Sequence, residues 1–227
     1  MQGTGSGQGF WALLTRDEQD VLTALGRMSV FPSGATLCVE GEPSTHVFIL
    51  VTGWVKIIAV TTDGHELVLA LRGQGDVVGE IAGETTGRRN ATVKAVDTVR
   101  ALIVRYDRFG SFLDANSGAN RAYRRQVTLR WNDTATVLRG RALTTGAQRL
   151  ARLLLELAAR HGSRADGAIH LAVPLSQQEL ASLIGTSRAT VTRALSNWRN
   201  RGFIRTAQRH ITIIDLGGLQ QVTGERK

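Results

Sequence analysis

Cysteine is nearly absent from the chain, since Cys38 is the only one among 227 residues. A single thiol cannot form an internal disulfide, and it cannot hold an iron–sulfur cluster through cysteines alone. The residue itself, in TLCVEGE, is expected to be a small, buried hydrophobic side chain. Cysteine usage therefore indicates a reducing compartment, and we expect cytoplasmic localisation.

Long apolar runs are also missing, because none approaches the roughly 18 residues that a membrane-spanning helix needs. The first ten residues, MQGTGSGQGF, have neither the basic start nor the apolar core of a secretory signal. We therefore expect a soluble protein with a mobile leader and no membrane partner.

Arrangements typical of enzymes and metal sites are scarce as well. The five histidines form no pair with the spacing of metal ligands, and no nucleophile stands at a recognisable spacing from a histidine and an acid. His46 and His65 lie in strand-rich sequence, where a hydrogen-bonded histidine is commoner than a haem ligand. The sequence therefore predicts neither an enzyme nor a bound metal.

Positive charge is present in excess, and it is concentrated toward the C-terminus of a chain whose net charge is +9. Residues 1–112 carry 10 Arg/Lys and 12 Asp/Glu, residues 113–144 carry 6 and 2, and residues 145–227 carry 12 and 5. This asymmetry favours two domains with different tasks, the second of which faces a polyanion such as nucleic acid. A generic solvated basic surface is the alternative.

Short β-branched segments dominate residues 28–106. They are VFILV, VKIIAV, ELVLAL, ATVKAV and RALIVRY, separated by turn-forming stretches such as PSG, EGEPS, TDG and RGQGD. Many short strands with regular turns predict a sandwich or barrel. Before them, Thr15 and Glu18 fit a capping box, so a short helix is expected to begin there and to end at Gly26.

Two helices are expected after the strands. Asp107 is placed to cap the first, and residues 120–143, which contain no proline or turn cluster, predict a long second helix. Along this second helix one seam of coiled-coil type recurs, formed by Val127, Trp131, Thr134 and Leu138. The seam favours pairing with a second copy of the chain, and packing on its own domain is the alternative.

The segment from Leu175 to Ile204 carries the most specific signal. A capping box, Ser176 to Glu179, opens a short helix. The residues that follow are a small residue for a close helix crossing (Ala181), a glycine for a tight turn (Gly185), a helix cap (Ser187) and a β-branched core residue (Val191). This spacing predicts a helix-turn-helix. An ordinary helical hairpin is the alternative, although it does not require arginines on the exposed face.

Elements on both sides complete this C-terminal region. A helix over 149–159 is predicted to bury a stripe formed by Leu150, Leu153, Leu154 and Leu157. After the helix-turn-helix, residues 203–205 and 211–214 are predicted to form two strands around a turn at 206–210, which makes a winged form.

The order of these elements resembles the cyclic AMP receptor protein family, also called the CRP-FNR family, over roughly residues 15 to 215. The resemblance implies an α+β fold with a cyclic-nucleotide-binding β-roll of the double-stranded jelly-roll type, a long dimerisation helix and a winged helix-turn-helix. We assign residues 1–112 to the β-roll with its N-terminal helix, 113–144 to the dimerisation helix and hinge, and 145–227 to the DNA-binding domain.

The stretch GEIAGETTGRRNATVKA, from Gly79 to Ala95, resembles the family's phosphate-binding cassette. Gly79 and Glu80 fall on its Gly-Glu pair, and Arg89 falls on its arginine. A forked guanidinium suits the single negative charge of a cyclic phosphodiester. A carboxylate at Glu80 suits the ribose 2′-hydroxyl, which the cyclic phosphate leaves free. Arg88, which directly precedes Arg89, is expected to face solvent.

Other positions concern the base and the rim of the pocket. Arg130 falls where the family has an arginine below the pocket, and Thr134 falls on a threonine that reads adenine. Asn90 departs from the family, which usually has a serine or threonine donating to the phosphate. Further departures affect the cassette cover and a serine from the partner, at Gly83, Glu84 and Ala135. Cyclic AMP is therefore the first candidate ligand, and cyclic GMP, another nucleotide or an empty pocket are the alternatives.

For DNA, the resemblance implies that the helix beginning near Arg188 enters the major groove of double-stranded DNA. Arginine can bond O6 and N7 of guanine, so Arg188 and Arg193 are the candidates for base reading. Contacts to phosphate are expected from Ser187, Thr190, Arg209 and His210. A homodimer should bind an inverted repeat, and RNA polymerase is a further candidate partner. Ligand would act by biasing how the two long helices pair; a constitutive DNA-binding regulator with a degenerate pocket is the alternative.

Overall fold

The computed structural model describes residues 9–60, 64, 66–81, 87–171, 175–207 and 210–224, and of residues 131–143 and 160 the backbone alone. The described residues form two compact units, which divide between Trp131 and Asn132. Their boundary falls within the segment assigned to the dimerisation helix and hinge. The domain limits at 112 and 144 stay predictions.

The first unit begins with a 3-10 helix, Phe10–Leu13, followed by α1, Arg16–Leu25. The predicted capping box is confirmed: the Thr15 hydroxyl accepts from the backbone N–H of Glu18, and the Glu18 carboxylate accepts from the backbone N–H of Thr15. The helix ends before Gly26, as expected.

Among the described residues of the first unit, eight strands build two four-stranded antiparallel sheets, which confirms the predicted β-roll. In the first sheet the order is β1-β8-β3-β6, and in the second it is β2-β7-β4-β5. Their bounds are β1 Arg27–Phe31, β2 Thr36–Cys38, β3 His46–Thr52, β4 Val55–Val60, β5 Glu66–Arg72, β6 Val77–Val78, β7 Thr92–Ala95 and β8 Val99–Arg105.

Strand β3 is buried on both faces because it separates two hydrophobic clusters. Val47 and Ile49 pack with Phe10 and the helices, whereas Phe48 and Leu50 face the space between the sheets. Cys38 belongs to the second cluster and is 7% exposed, in agreement with its expected role as a buried hydrophobic residue.

Two helices follow the sheets, α2, Tyr106–Ala115, and α3, Ser117–Leu143. The prediction that Asp107 caps α2 is wrong, because the N-cap is Arg105 and it makes no side-chain cap hydrogen bond. Asp107 lies in the first turn, where its carboxylate accepts from Arg105 and from the backbone N–H of Arg108. A negative charge is favourable there because the helix dipole is positive at this end.

The long helix was predicted from residue 120 and begins slightly earlier. Of its predicted seam, Val127 is 37% exposed. The side chains of Trp131, Thr134 and Leu138 lie outside the described residues. In the part of the chain that the structure describes, α3 and the other helices lack the combination of length and apolar composition that a membrane span requires.

The described part of the second unit contains four helices and a four-stranded antiparallel sheet of order β11-β12-β10-β9. The bounds are α4 Gly146–His161, β9 Ser163–Ala165, β10 Ala168–Leu171, α5 Gln177–Leu183, α6 Arg188–Asn200, β11 Ile204–Ala207, β12 His210–Ile213 and α7 Leu216–Val222. Of the predicted stripe on α4, Leu150, Leu154 and Leu157 are buried, whereas Leu153 is only partly buried.

The predicted wing is confirmed as a hairpin, but its turn is shorter than expected. Ala207 pairs with His210, so both residues belong to strands although the turn was predicted over 206–210. Strands β9 and β10 and helix α7 were not predicted from the sequence. The hairpin of β9 and β10 extends the wing into a larger sheet.

Candidate ligand pocket and DNA-binding face

Arg89 lies in the loop before β7 and is 3% exposed. Its backbone is fixed by Glu42, whose carbonyl accepts from the Arg89 N–H at 2.9 Å. The Nη1 group donates to the carbonyl of Gly79 at 3.1 Å, and the guanidinium lies 5.3 Å from the centre of the Phe48 ring. Nη2 is buried and finds no hydrogen-bond acceptor among the described residues. A buried cationic nitrogen without an acceptor favours the binding of an anion.

Gly79 follows β6 directly and has a φ of +80°. A β-carbon at this position would stand 2.2 Å from Nη1 of Arg89, so glycine is required both by the backbone and by the close approach. The Gly79 carbonyl also accepts a hydrogen bond from the Tyr106 hydroxyl, which in turn lies 2.7 Å from Oγ of Ser44.

Tyr106 and Ser44 were not predicted to belong to this site. Tyr106 was read as the end of the last strand of the roll, and it stands instead at the start of α2. Its hydroxyl reaches a carbonyl 27 positions away in the sequence. No local spacing signals such a contact.

Glu80 and Arg130 are brought together in a buried ion pair. Nη1 of Arg130 donates to Oε1 of Glu80 at 2.7 Å and to the carbonyl of Val77, also at 2.7 Å. Its Nη2 donates to Oδ1 of Asp76 at 3.0 Å. Burial alone would lower the pKa of Arg130, but the charges of Glu80 and Asp76 and their hydrogen bonds outweigh burial and raise it. Asp76, a member of this cluster, lies in a stretch that was predicted from the sequence only as a turn.

The remaining predicted pocket residues are less engaged. Asn90 is exposed, and Arg88 is exposed as expected, with its Nη1 donating to the Gly41 carbonyl at 2.8 Å. The side chains of Thr134 and Ala135 lie outside the described residues. Gly83 and Glu84 lie outside them entirely. The structure therefore joins Gly79 with Arg89, and Glu80 with Arg130.

The charge of Arg89 influences two neighbouring titratable side chains. Burial, followed by the charges of Arg89 and Arg27, lowers the pKa of His46. Burial raises the pKa of the Cys38 thiol, and the charge of Arg89 partly offsets this effect. Within the described ranges, His, Cys, Asp and Glu side chains form no group of three or more that could hold a metal ion.

The predicted helix-turn-helix is confirmed, and the residues that predicted it have the expected local structure. Ser176 and Glu179 make a complete capping box, and Ala181 is 1% exposed at the crossing of α5 and α6. Gly185 has a φ of +62°, and the Ser187 hydroxyl caps α6 by accepting from the Thr190 N–H at 3.2 Å.

One face of α6 is buried and the other carries arginines. The buried residues are Val191, Ala194, Leu195 and Trp198. Arg188 and Arg193 are exposed on α6, Ser187 is exposed at its N-cap, and Thr190 is partly buried. His210 is exposed at the start of β12, whereas Arg209 lies outside the described residues.

Two family models match the two units separately. A cyclic nucleotide-binding domain matches residues 28–116, and a Crp-like helix-turn-helix domain matches residues 148–222. Both matches agree with the β-roll and the winged helix-turn-helix described above.

Relatives match most of the chain. The CRP-like cAMP-activated global transcriptional regulator of Mycobacterium tuberculosis is 33% identical over 185 residues, which cover 82% of this chain and 83% of that protein. The cAMP-activated global transcriptional regulator CRP of Salmonella typhimurium is 26% identical over 187 residues, which cover 81% of this chain and 87% of that protein.

Solved structures show the same fold. FixK2 from Bradyrhizobium japonicum has a TM-score of 0.75 at 20% identity, over 89% of this chain and 99% of that chain. A variant of CooA from Carboxydothermus hydrogenoformans has a TM-score of 0.72 at 22% identity, over 89% of each chain. With the family matches and the relative from Mycobacterium tuberculosis, it follows that this chain is a DNA-binding transcription regulator with a cyclic nucleotide-binding domain and belongs to the CRP-FNR family.

Proposed function

We propose that the protein is a homodimeric transcription regulator whose affinity for DNA is controlled by a cyclic nucleotide bound at Arg89, with cyclic AMP as the first candidate. The observation that carries this proposal is the buried Nη2 of Arg89, which has no acceptor among the described residues. One equatorial phosphate oxygen would supply that acceptor and neutralise the charge.

Two further features support a cyclic nucleotide in particular. Glu80 directly follows Gly79 in the sequence, so a candidate acceptor for a ribose hydroxyl lies one residue from the proposed anion site. The relatives from Mycobacterium tuberculosis and Salmonella typhimurium are both described as cAMP-activated. Thr134 remains the candidate for adenine recognition, and Asn90 remains a candidate second donor to the phosphate.

The DNA-binding half of the proposal rests on α6 and the wing. We assign base reading to Arg188 and Arg193, because both are exposed while the opposite face of α6 is buried. Ser187, Thr190, Arg209 and His210 are assigned to phosphate contacts. Pairing of two copies through α3 would place two such helices on an inverted repeat.

A regulator that answers to a different ligand, or to none, is the second candidate. It is favoured by the Glu80 carboxylate, whose Oε1 already accepts from Arg130 at 2.7 Å, and by the exposure of Asn90. A ribose hydroxyl would have to share Glu80 with a buried cation.

Calorimetric titration of cyclic AMP and cyclic GMP separates the two candidates. We expect micromolar binding of cyclic AMP to the wild type, loss of that binding in Arg89→Met, and retention in Arg88→Met. The second variant removes the neighbouring arginine, which is exposed. Absence of heat with both nucleotides, or equal binding by Arg89→Met, would favour the second candidate.

Control of DNA affinity is tested on an inverted-repeat site selected from random DNA. The dissociation constant is measured by fluorescence anisotropy at fixed salt, because phosphate contacts make affinity strongly salt-dependent. Saturating nucleotide should change it by about 5- to 150-fold, the usual range of allosteric coupling. Sedimentation of the complex should give two chains per site.

A further inference from the structure

Among the described strands, β6 pairs with β3 alone, and a glutamine of α3 lies along its other edge. Gln126 is 6% exposed. Its Oε1 accepts from the backbone N–H of Val77 and from that of Phe10, each at 3.3 Å, and its Nε2 donates to the Val77 carbonyl at 3.4 Å. Since two N–H groups point at the same atom, the orientation of the amide is fixed.

The glutamine takes the place of a neighbouring strand. In an antiparallel pair every second residue directs its N–H and C=O away from the partner strand, and Val77 directs both toward α3. Arg130, one turn further along α3, donates to the same Val77 carbonyl. Val77 and Phe10 are both 0% exposed, so without Gln126 their N–H groups would be buried without this acceptor.

This edge lies two residues before the anion site. Gly79 follows Val77 and Val78, and its carbonyl accepts from Arg89 and Tyr106. Nη1 of Arg89 occupies the position that a β-carbon of Gly79 would take and donates to the Gly79 carbonyl, so the two residues are in direct contact. A displacement of Arg89 would therefore act on Gly79 and, through Val78, on β6.

We propose that Gln126 is the positioning residue through which occupancy of the anion site moves α3. The inference rests on the proposed function, since it concerns how a bound nucleotide changes DNA affinity. Gln126 does not need to touch the ligand; it ties Val77, and with it the start of the cassette, to the helix through which the chain passes into its second unit.

The N-terminal 3-10 helix takes part in the same movement. Phe10 shares the Oε1 acceptor with Val77, and the Trp11 N–H donates to the Gly75 carbonyl at 3.0 Å, just before β6. A shift of β6 therefore changes the hydrogen bonding of this N-terminal helix, which provides a second observable site.

The test compares Gln126→Met with Gln19→Met in the full-length protein. Both substitutions replace a glutamine by an apolar side chain of similar length, but the Gln19 side chain donates to the Trp11 carbonyl, at 2.9 Å, and among the described residues it makes no hydrogen bond to β6. For each protein the dissociation constant of the selected DNA site is measured with and without saturating cyclic AMP. The ratio of the two constants is the coupling factor.

We expect Gln126→Met to lower the coupling factor by about fivefold or more, which would remove most of a typical allosteric coupling. The affinity for cyclic AMP without DNA and the affinity for DNA without cyclic AMP should each change far less. A structural defect alone would lower the active fraction and leave the coupling factor of the active protein unchanged. Gln19→Met should retain the wild-type factor.

Hydrogen exchange provides the readout that does not depend on ligand. In Gln126→Met, the backbone amides of Val77 and Phe10 should exchange faster than in the wild type. In Gln19→Met, the Val77 amide should exchange at the wild-type rate. If Gln126→Met does not fold, Gln126→Asn is used, since asparagine keeps the amide group on a side chain that is too short to reach Val77.

The inference is overturned if the folded Gln126 variant keeps the wild-type coupling factor or the wild-type exchange rate at Val77. If the wild type itself shows no effect of cyclic nucleotide on DNA binding, the proposed function fails and the inference fails with it. The two failures are distinguished by the wild-type measurement.

Discussion

The Nη1 nitrogen of Arg89 lies 3.1 Å from the carbonyl oxygen of Gly79 and would lie 2.2 Å from a β-carbon at the same residue. The Arg89 guanidinium therefore occupies the space that a side chain at Gly79 would need, and any such side chain must displace it. The displaced group is the one whose second nitrogen is proposed to receive the ligand.

We therefore predict that Gly79→Ala abolishes nucleotide binding and also destabilises the protein. Backbone strain at a positive φ costs about 1–3 kcal/mol, and the collision with Arg89 adds to it. Gly34→Ala is the matched control, because Gly34 has a φ of +83° and no atom within 4 Å of the added β-carbon. In the control, urea unfolding should show the cost of backbone strain alone, and calorimetry should show that nucleotide binding is retained. Nucleotide binding by Gly79→Ala at wild-type affinity would contradict the proposed anion site.

The buried cluster around Arg130 yields a second prediction. Arg130→Met leaves the carboxylates of Glu80 and Asp76 without their cation, and removal of one partner from a buried pair typically costs about 3–5 kcal/mol. The measurement is the free energy of unfolding in urea at neutral pH. Adding Glu80→Gln to Arg130→Met should recover part of the loss, because one of the two uncompensated charges is then removed.

The control for this prediction is Arg105→Met. Arg105 also pairs with a carboxylate, that of Asp107, but both side chains are exposed, so solvent screens the interaction. We expect little change in the unfolding free energy of Arg105→Met. Equal losses in the two variants would mean that the Arg130 cluster is not a buried ion pair in solution.

Local signals predicted the starts of three helices correctly. The capping boxes at Thr15 and Ser176 and the cap at Ser187 depend on residues within three positions of each other, so sequence alone identifies them. Asp107 shows the limit of this reasoning: an acidic residue is favourable both as a cap and in the first turn, and sequence does not distinguish the two.

Contacts between distant residues were beyond prediction. Gln126 reaches Val77 across 49 positions, and Arg130 reaches Asp76 across 54. Neither contact leaves a periodic or compositional trace, and only the fold brings the partners together. The arginine and the glycine of the proposed anion site were predicted because the resemblance to the CRP-FNR family supplied what local spacing could not.

His46 yields a prediction for pH dependence. Its pKa is lowered below 6.5 in the folded protein by burial and by the charges of Arg89 and Arg27. The unfolded state therefore binds more protons just below pH 6.5, so stability should fall as the pH falls from 6.5 through the folded pKa. His46→Gln should remove this part of the pH dependence.

The measurement is urea unfolding from neutral pH to pH 5, with His170→Gln as a control that removes an exposed histidine of the second unit. An NMR titration of the imidazole provides an independent check. Arg89→Met should raise the pKa of His46, because one of the positive charges that disfavour its protonation is lost. An unchanged pKa in Arg89→Met would show that Arg89 does not act on His46.

The last prediction concerns base reading by α6. Arg193→Ala and Arg188→Ala should each cost about 1–3 kcal/mol on the selected DNA site and relax the base preference at one position of each half-site. Because the contact is to a base, the dependence of affinity on salt should keep its slope, whereas loss of a phosphate contact would reduce the slope by about 0.9. Affinity for unrelated DNA should change little.

Arg164→Ala is the control, since Arg164 is also exposed but lies on β9, at the opposite edge of the sheet from the wing strand β11. Fluorescence anisotropy at several salt concentrations gives affinity and slope together. If Arg193→Ala lowers affinity for all DNA equally and reduces the slope, then Arg193 holds phosphate and the base preference must come from other residues. The salt slope thus decides the role of each arginine from the same titration that measures its affinity.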